Sequence, residues 1–309
     1  MNTIRDERAL SEVIGFILLL GVIVAAFSLW ITYVVPVDGR EKEIDQMNGV
    51  KDRFTDYKIS TDSLWLNNQS GVTLSTSFNL GTGGGNTEAG GLFLPLLQPQ
   101  ASGATLSVSD NGDKLNITRS SSSLASLYNM STLSYQSENH YWIQQKYYYQ
   151  LGGVFLSQDN GTANRISPSI SIVANSDDTI TVTIVPIQLL GGGNIGGNGP
   201  VRVDTRLRNL QAPVVLEPNT YVNISVNNVA DKATALMWMN AVFNETRIRG
   251  GVTNPAYYTF GVGENPVTKR GSAYINIVGP AGGSTSDVYL TVKPVEYVVT
   301  LNNIASGLS

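Results

Sequence analysis

Residues Val13–Val35 form an uncharged apolar run, VIGFILLLGVIVAAFSLWITYVV, and a polar chain rich in Gly, Asn and Thr follows it. As an α-helix rising about 1.5 Å per residue, the run is roughly 35 Å long, enough to cross a bilayer's hydrocarbon core with some tilt. The expectation is a membrane span, permanent or held during biogenesis. The rest of the 309 residues is long enough to bury a substantial core.

The downstream chain excludes several classes of chemistry. There is no cysteine and a single histidine, His140, which leaves no thiolate site, little for zinc and few means of building a Ser-His-Asp triad. Charged residues are only 14% of the chain and net charge is −4, with no basic block to follow a phosphate backbone. Nucleic acid is not an expected partner, and no enzyme activity or cofactor is expected. Gly191, Gly193 and Gly196 match the spacing of a dinucleotide loop, but the chain continues through Gly197-Asn198-Gly199-Pro200 into a strand pattern, not a helix.

Periodicity divides the chain. Residues 1–9, MNTIRDERA, read as a cytoplasmic leader, 10–36 as the membrane helix, 37–58 as an amphipathic stalk helix and 59–309 as an extracellular β-rich head. Pro36 and Gly39 are expected to interrupt the helix between span and stalk. In the stalk Ile44, Met47, Val50, Phe54 and Tyr57 recur at intervals of three and four among charged residues. Beyond Ser60 the period becomes two. Expected strands include Val72–Leu80, Tyr141–Tyr149, Thr179–Ile187 and Val288–Leu301, and a hairpin pairing Ala104–Ser109 with Lys114–Thr118 across Asp110-Asn111-Gly112-Asp113. Residues 230–245 read as a helix with Leu236, Met239, Val242 and Phe243 on its apolar face. Gly81–Gly91 and Gly191–Gly199 read as surface loops, and no internal repeat stands out. The expected class is α+β: a long N-terminal helix, then a mainly antiparallel, sandwich-like head with one helix packed on it.

Six N-x-[ST] sequons, at Asn68, Asn116, Asn129, Asn160, Asn223 and Asn244, all follow the apolar run. Their one-sided placement fits an extracellular C-terminal region carrying glycans. Aromatics at Tyr141, Trp142, Tyr147, Tyr148 and Tyr149 fit either a surface for a glycan or partner, or cross-strand pairs within a sheet.

At the N-terminal junction, Arg8-Ala9-Leu10-Ser11-Glu12-Val13-Ile14-Gly15 resembles the class III signal peptide of archaeal type IV pilins and pilin-like surface proteins. The resemblance covers roughly residues 5 to 36. It implies cleavage by a prepilin peptidase on the cytoplasmic side, with Arg8 as the basic residue, Ala9 before the cut and Leu10 as the new N-terminus. Many members carry proline where this chain has Glu12. The resemblance implies that Glu12 pairs with a neighbouring subunit's amino group during assembly. The partners implied are the membrane, the peptidase and other pilin subunits, and a surface glycan for an adhesive head. The alternative is an uncleaved, single-span surface protein that binds a ligand or glycan and forms no filament.

Overall fold

The computed structural model describes residues 3–82, 97–210 and 212–303, and the side chains of residues 3–12, 209 and 210 lie outside that description. Helix α1 (Thr3–Leu29) runs through a π-helical turn at Trp30–Val34 directly into α2 (Val35–Leu66). The break expected at Pro36 and Gly39 does not occur. Pro36 falls in the first turn of α2, beside the π-helical turn, whose wider hydrogen-bond spacing makes room for the ring. Gly39 is buried against the ring of Tyr141, where a β-carbon would collide with it.

The amphipathic segment is also longer than 37–58 and is not a free stalk. Its buried positions are Val35, Gly39, Glu43, Met47, Val50, Phe54, Tyr57, Thr61 and Leu64, spaced by three or four so that they fall on one face. That face enters the head and becomes its core. Phe54 packs on Phe78 with ring centroids 5.1 Å apart, and Tyr57 meets Tyr149 edge-on at 5.2 Å.

The head is β-rich and, with the long helix, makes the chain α+β, but its sheets form a propeller-like ring and not a sandwich. Sheet I is six-stranded, in the order Gly193–Gly197, Gly103–Ser109, Thr132–Glu138, Gln145–Gln150, Gly153–Gln158, Gly161–Ile166. Sheet II has four strands: Thr73–Asn79, Pro200–Leu210, Val295–Asn303 and Ile187–Leu190. Sheet III has five: Tyr258–Glu264, Gly271–Ile277, Val222–Val229, Lys114–Arg119 and Ser122–Asn129. Sheet IV has four: Val214–Asn219, Val288–Val292, Ile180–Ile184 and Ile170–Ala174.

Two cores result. In one, the α2 face lies among Phe78, Val203 and Tyr297 of sheet II and Leu106, Tyr147, Tyr149 and Leu156 of sheet I. The other is filled by sheets III and IV, by Tyr148 and Phe155 of sheet I, and by Trp238 and Phe243. Strand alternation therefore sends Tyr147 and Tyr149 into one core and Tyr148 into the other. These tyrosines are structural, and the aromatic surface considered from sequence reduces to Tyr141 and Trp142.

Several expected strands are corrected. The stretches Thr179–Ile187 and Val288–Leu301 each divide at a proline, Pro186 and Pro294, which have no N–H for a ladder. Each chain passes there from sheet IV to sheet II. Ile180–Ile184 pairs in parallel with Val288–Val292, and Ile187–Leu190 with Val295–Val298, in one constant offset. Aligned that way, ITVTIVPIQLL (180–190) matches VYLTVKPVEYV (288–298), an internal repeat that flanking sequence obscures.

Ala104–Ser109 and Lys114–Thr118 do not form a hairpin. The first pairs within sheet I and the second within sheet III, so Asp110–Asp113 is a crossing between sheets. Only residues 145–149 of the expected Tyr141–Tyr149 strand are extended in a sheet, in the strand Gln145–Gln150. The expected Gly191–Gly199 loop contains an edge strand, Gly193–Gly197, and at Gly191 (φ 150°) any side chain would strike the carbonyl of Val299. Residues 83–91 of the other Gly-rich segment lie outside the described residues.

The expected helix is present as α3 (Lys232–Met237), a π-helical turn at Trp238–Asn244 and α4 (Glu245–Arg249), capped by the Asp231 carboxylate on Thr234 N–H. Of the expected apolar face, Val242 and Phe243 are fully buried and Met239 packs on the second core, whereas Leu236 is 37% exposed and Ala235, Met237 and Trp238 are buried in its place.

If the α2 face organises the first core, Phe54→Ala lowers stability by about 3–5 kcal/mol in denaturant unfolding of the full chain in detergent. Glu41→Ala on the exposed face changes it by less than about 0.5 kcal/mol.

Candidate functional site

The chain's most distinctive functional element is the apolar part of its long helix. Over Val13–Val34 the large apolar side chains lie open, from Val22 at 70% exposed to Val34 at 40%, and this is the one helix among the described residues long and apolar enough to cross a membrane. Its backbone is helical through Arg8, Ala9, Leu10 and Glu12, whose side chains lie outside the description.

How this helix is mounted follows from the other end of α2. Thr61 donates to the Tyr57 carbonyl at 2.9 Å and lies 3.3 Å from the Tyr149 hydroxyl. Tyr57 shares a hydrogen bond with Thr205 at 2.9 Å, and Tyr297 donates to the Thr61 carbonyl at 2.5 Å. Burial pushes the phenols of Tyr57, Tyr149 and Tyr297 well up, so they stay neutral hydroxyls. Every one of these polar side chains is satisfied inside the core, which fixes helix to sheets in both translation and rotation.

Nearer the apolar segment a second clamp operates. Glu43 is 1% exposed, and its carboxylate accepts from the backbone N–H of His140 at 2.6 Å and of Tyr141 at 2.9 Å. Arg40 lies 4.1 Å over the Trp142 ring, and Tyr141 Oη accepts from the Gln100 N–H at 3.0 Å. Trp30 donates through Nε1 to the Leu97 carbonyl at 3.3 Å. Sequence reading missed Glu43 because apolar counting placed the stripe on Ile44. The signal was its phase, four residues before Met47 on the face that continues through Phe54.

A polar seam lies on the far side of sheet I. A cavity of about 120 Å³ is lined by Asp113, Lys146, Tyr148, Gln150, Thr162 and Thr234, among others. Asp113 accepts from Gln150 at 2.9 Å through Oδ2, while Oδ1 lies 3.6 Å from Arg270. Burial raises the Asp113 carboxyl and lowers the Lys146 ammonium, the first partly offset by Gln150 and Arg270, the second by Asp113. His140 is remote from this group, held by its backbone at Glu43. No group of three His, Cys, Asp or Glu fit to hold a metal occurs among the described residues.

The sequons fall into distinct settings. Asn68, at the end of α2, Asn129 and Asn160, in the turn after Gly153–Gln158, are exposed. Asn116 and Asn223 are half-buried on one face of sheet III, opposite Ser225 and Thr118 respectively. Asn244 is half-buried and accepts from buried Arg247 at 2.5 Å. Comparison with protein-family models, with curated proteins and with solved structures returned no match.

Two predictions follow from this geometry. Glu43→Ala removes the acceptor of two amides, costing about 1–3 kcal/mol, and hydrogen exchange at His140 and Tyr141 accelerates. Glu43→Gln, which keeps one acceptor oxygen, falls between. At Asp113 a carboxyl raised on folding favours the native state most below about 3.8, its ordinary value, and that contribution is lost as pH climbs through the raised value. Asp113→Asn removes the titration, so urea unfolding shows its stability relative to wild type rising from acidic to neutral pH.

Proposed function

We propose that this chain is a pilin-like surface subunit of the archaeal type IV class, stored in the membrane by its apolar helix and carrying a β-rich head outside the cell. The observation that carries the proposal is the single uninterrupted helix whose one half is apolar and open and whose other half is the core of the head. A subunit of this kind leaves the bilayer when helix-helix packing replaces lipid contacts, and Gly15, Gly21, Ala25, Ala26 and Ser28 offer small surfaces for that packing. Gly15 and Gly21 have nothing within 4 Å of a built β-carbon, so their surface is open to a neighbour.

The junction Arg8-Ala9-Leu10 supplies the processing site and Glu12 the carboxylate for assembly, with prepilin peptidase and other pilin subunits as partners. A carboxylate at the edge of an apolar helix is costly without a cationic partner, which supports pairing with a neighbouring amino group. The head serves surface structure or adhesion, a surface glycan being the ligand class in view. Exposure favours Asn68, Asn129 and Asn160 over the other sequons as glycan carriers.

The test is the mature N-terminus. Intact mass of the protein recovered from membranes is expected to begin at Leu10, and sheared surface filaments to contain that species. Ala9→Leu blocks processing and empties the filaments of this chain. A chain that retains residues 2–9 and is never found in sheared filaments overturns the proposal in favour of a static anchor.

A further inference from the structure

The spacing between membrane and head carries an inference about where the head rests. No charged residue lies between Glu12 and Asp38. At about 1.5 Å per residue that interval rises roughly 39 Å, against about 30 Å of hydrocarbon and about 40–45 Å for the bilayer with its headgroups. With Glu12 at the inner hydrocarbon boundary, about 30 Å of hydrocarbon ends near residue 32, so Trp30 lies just inside the outer boundary and Asp38 in the headgroup layer. The head begins there without a spacer: Val35 is already 7% exposed and Gly39 is covered by the Tyr141 ring.

Two pieces of the head reach this level. The segment 97–100 is tied downward to Trp30, inside the apolar run, through the Leu97 carbonyl, and upward to Tyr141 through the Gln100 N–H. The 139–143 loop is clamped to the first turns of α2 by Glu43 and by Arg40 over Trp142. Their composition suits an interface. Trp30, Tyr33, Tyr141 and Trp142 are the residue types enriched at headgroup depth, and Ile143 is 44% exposed.

We infer that residues 97–100 and 139–143 form a foot that rests in the lipid headgroup layer while the subunit is membrane-stored, so that the head docks on the bilayer and does not stand off it. This rests on the membrane reading of the apolar helix. The foot gives the stored subunit a fixed tilt, because Glu43 and the buried end of α2 leave no hinge between lipid and head. Extraction from the bilayer then breaks lipid contacts of the foot as well as those of the helix.

Because the chain has no cysteine, single nitroxide labels test this directly on the full-length protein. Labels are placed at Gln98→Cys, Ile143→Cys, Val24→Cys and Val267→Cys, the last at an 86% exposed position in the turn between Tyr258–Glu264 and Gly271–Ile277 of sheet III. The protein is reconstituted in vesicles of phosphatidylcholine with phosphatidylglycerol, and collisions with oxygen and with a water-soluble nickel chelate are compared. The expected order of the oxygen-to-nickel ratio is Val24 highest, Gln98 and Ile143 severalfold above Val267, and Val267 as in water. Val24 in hydrocarbon with Gln98 and Ile143 both matching Val267 overturns the foot and leaves the membrane span standing. Val24 in water overturns the span, and the foot with it.

Discussion

Everything in the head depends on burying one helical face, Glu43 to Leu64, between sheets I and II. The constraint is that a single helix must satisfy two environments. Its first half presents apolar side chains on every side, as a lipid-facing helix does, and its second half presents a narrow apolar stripe with charges elsewhere. The change of pattern occurs within one turn of Val35, where the head begins. Inside the core, Thr61 and three tyrosines replace what an all-apolar stripe would supply, and the cost of burying their hydroxyls is offset because each is bonded.

Sheet I transmits this organisation to the remainder of the head. Since both its faces are covered along Gln145–Gln150, the strand that holds α2 through Tyr147 and Tyr149 also holds the second core through Tyr148 stacked on Phe155. Sheets II and IV are joined by two chains that cross side by side at Pro186 and Pro294. The paired crossing, with its matching sequences, makes the closure of the ring a repeated element. A register slip in one chain would misplace both prolines relative to each other and expose Ile187 and Val295, so the repeat also pins the register.

The helix and most strand positions were legible because burial there follows hydrophobicity at a fixed period. What failed did so for local physical reasons. Glu43 and Gly39 occupy core positions that no apolar count can find, one because its charge is satisfied by loop amides, the other because a ring takes the place of its side chain. Asp110-Asn111-Gly112-Asp113 does make a turn, with Asp110 accepting from the Gly112 N–H at 2.9 Å, but its flanking strands find partners elsewhere. Local turn chemistry fixes a reversal and says nothing of which sheet receives the chain. In the 230–245 helix the expected Val242 and Phe243 are buried, but Leu236 turns outward while Ala235 and Met237 on either side of it are buried. The polar seam around Asp113 was invisible because its lining residues are scattered over five segments of the chain and meet only after sheets I and III have formed.

The rigidity of the mount bears on which of the two functional readings is physically economical. An anchor needs only to hold a head near a membrane, and a flexible linker does that while leaving the head free to search for ligands. A subunit repeated along a filament must present each head in one orientation set by how the helices pack. Here the axis of the apolar helix is fixed to the head over the six turns from Glu43 to Leu64 by side chains in two sheets, with a further clamp at His140 and Tyr141. Rotating the helix by one residue would carry Phe54 and Tyr57 out of the core, a loss of several kcal/mol for each aromatic group. Helix packing therefore dictates head orientation, which is the property an assembled array uses and a tether does not.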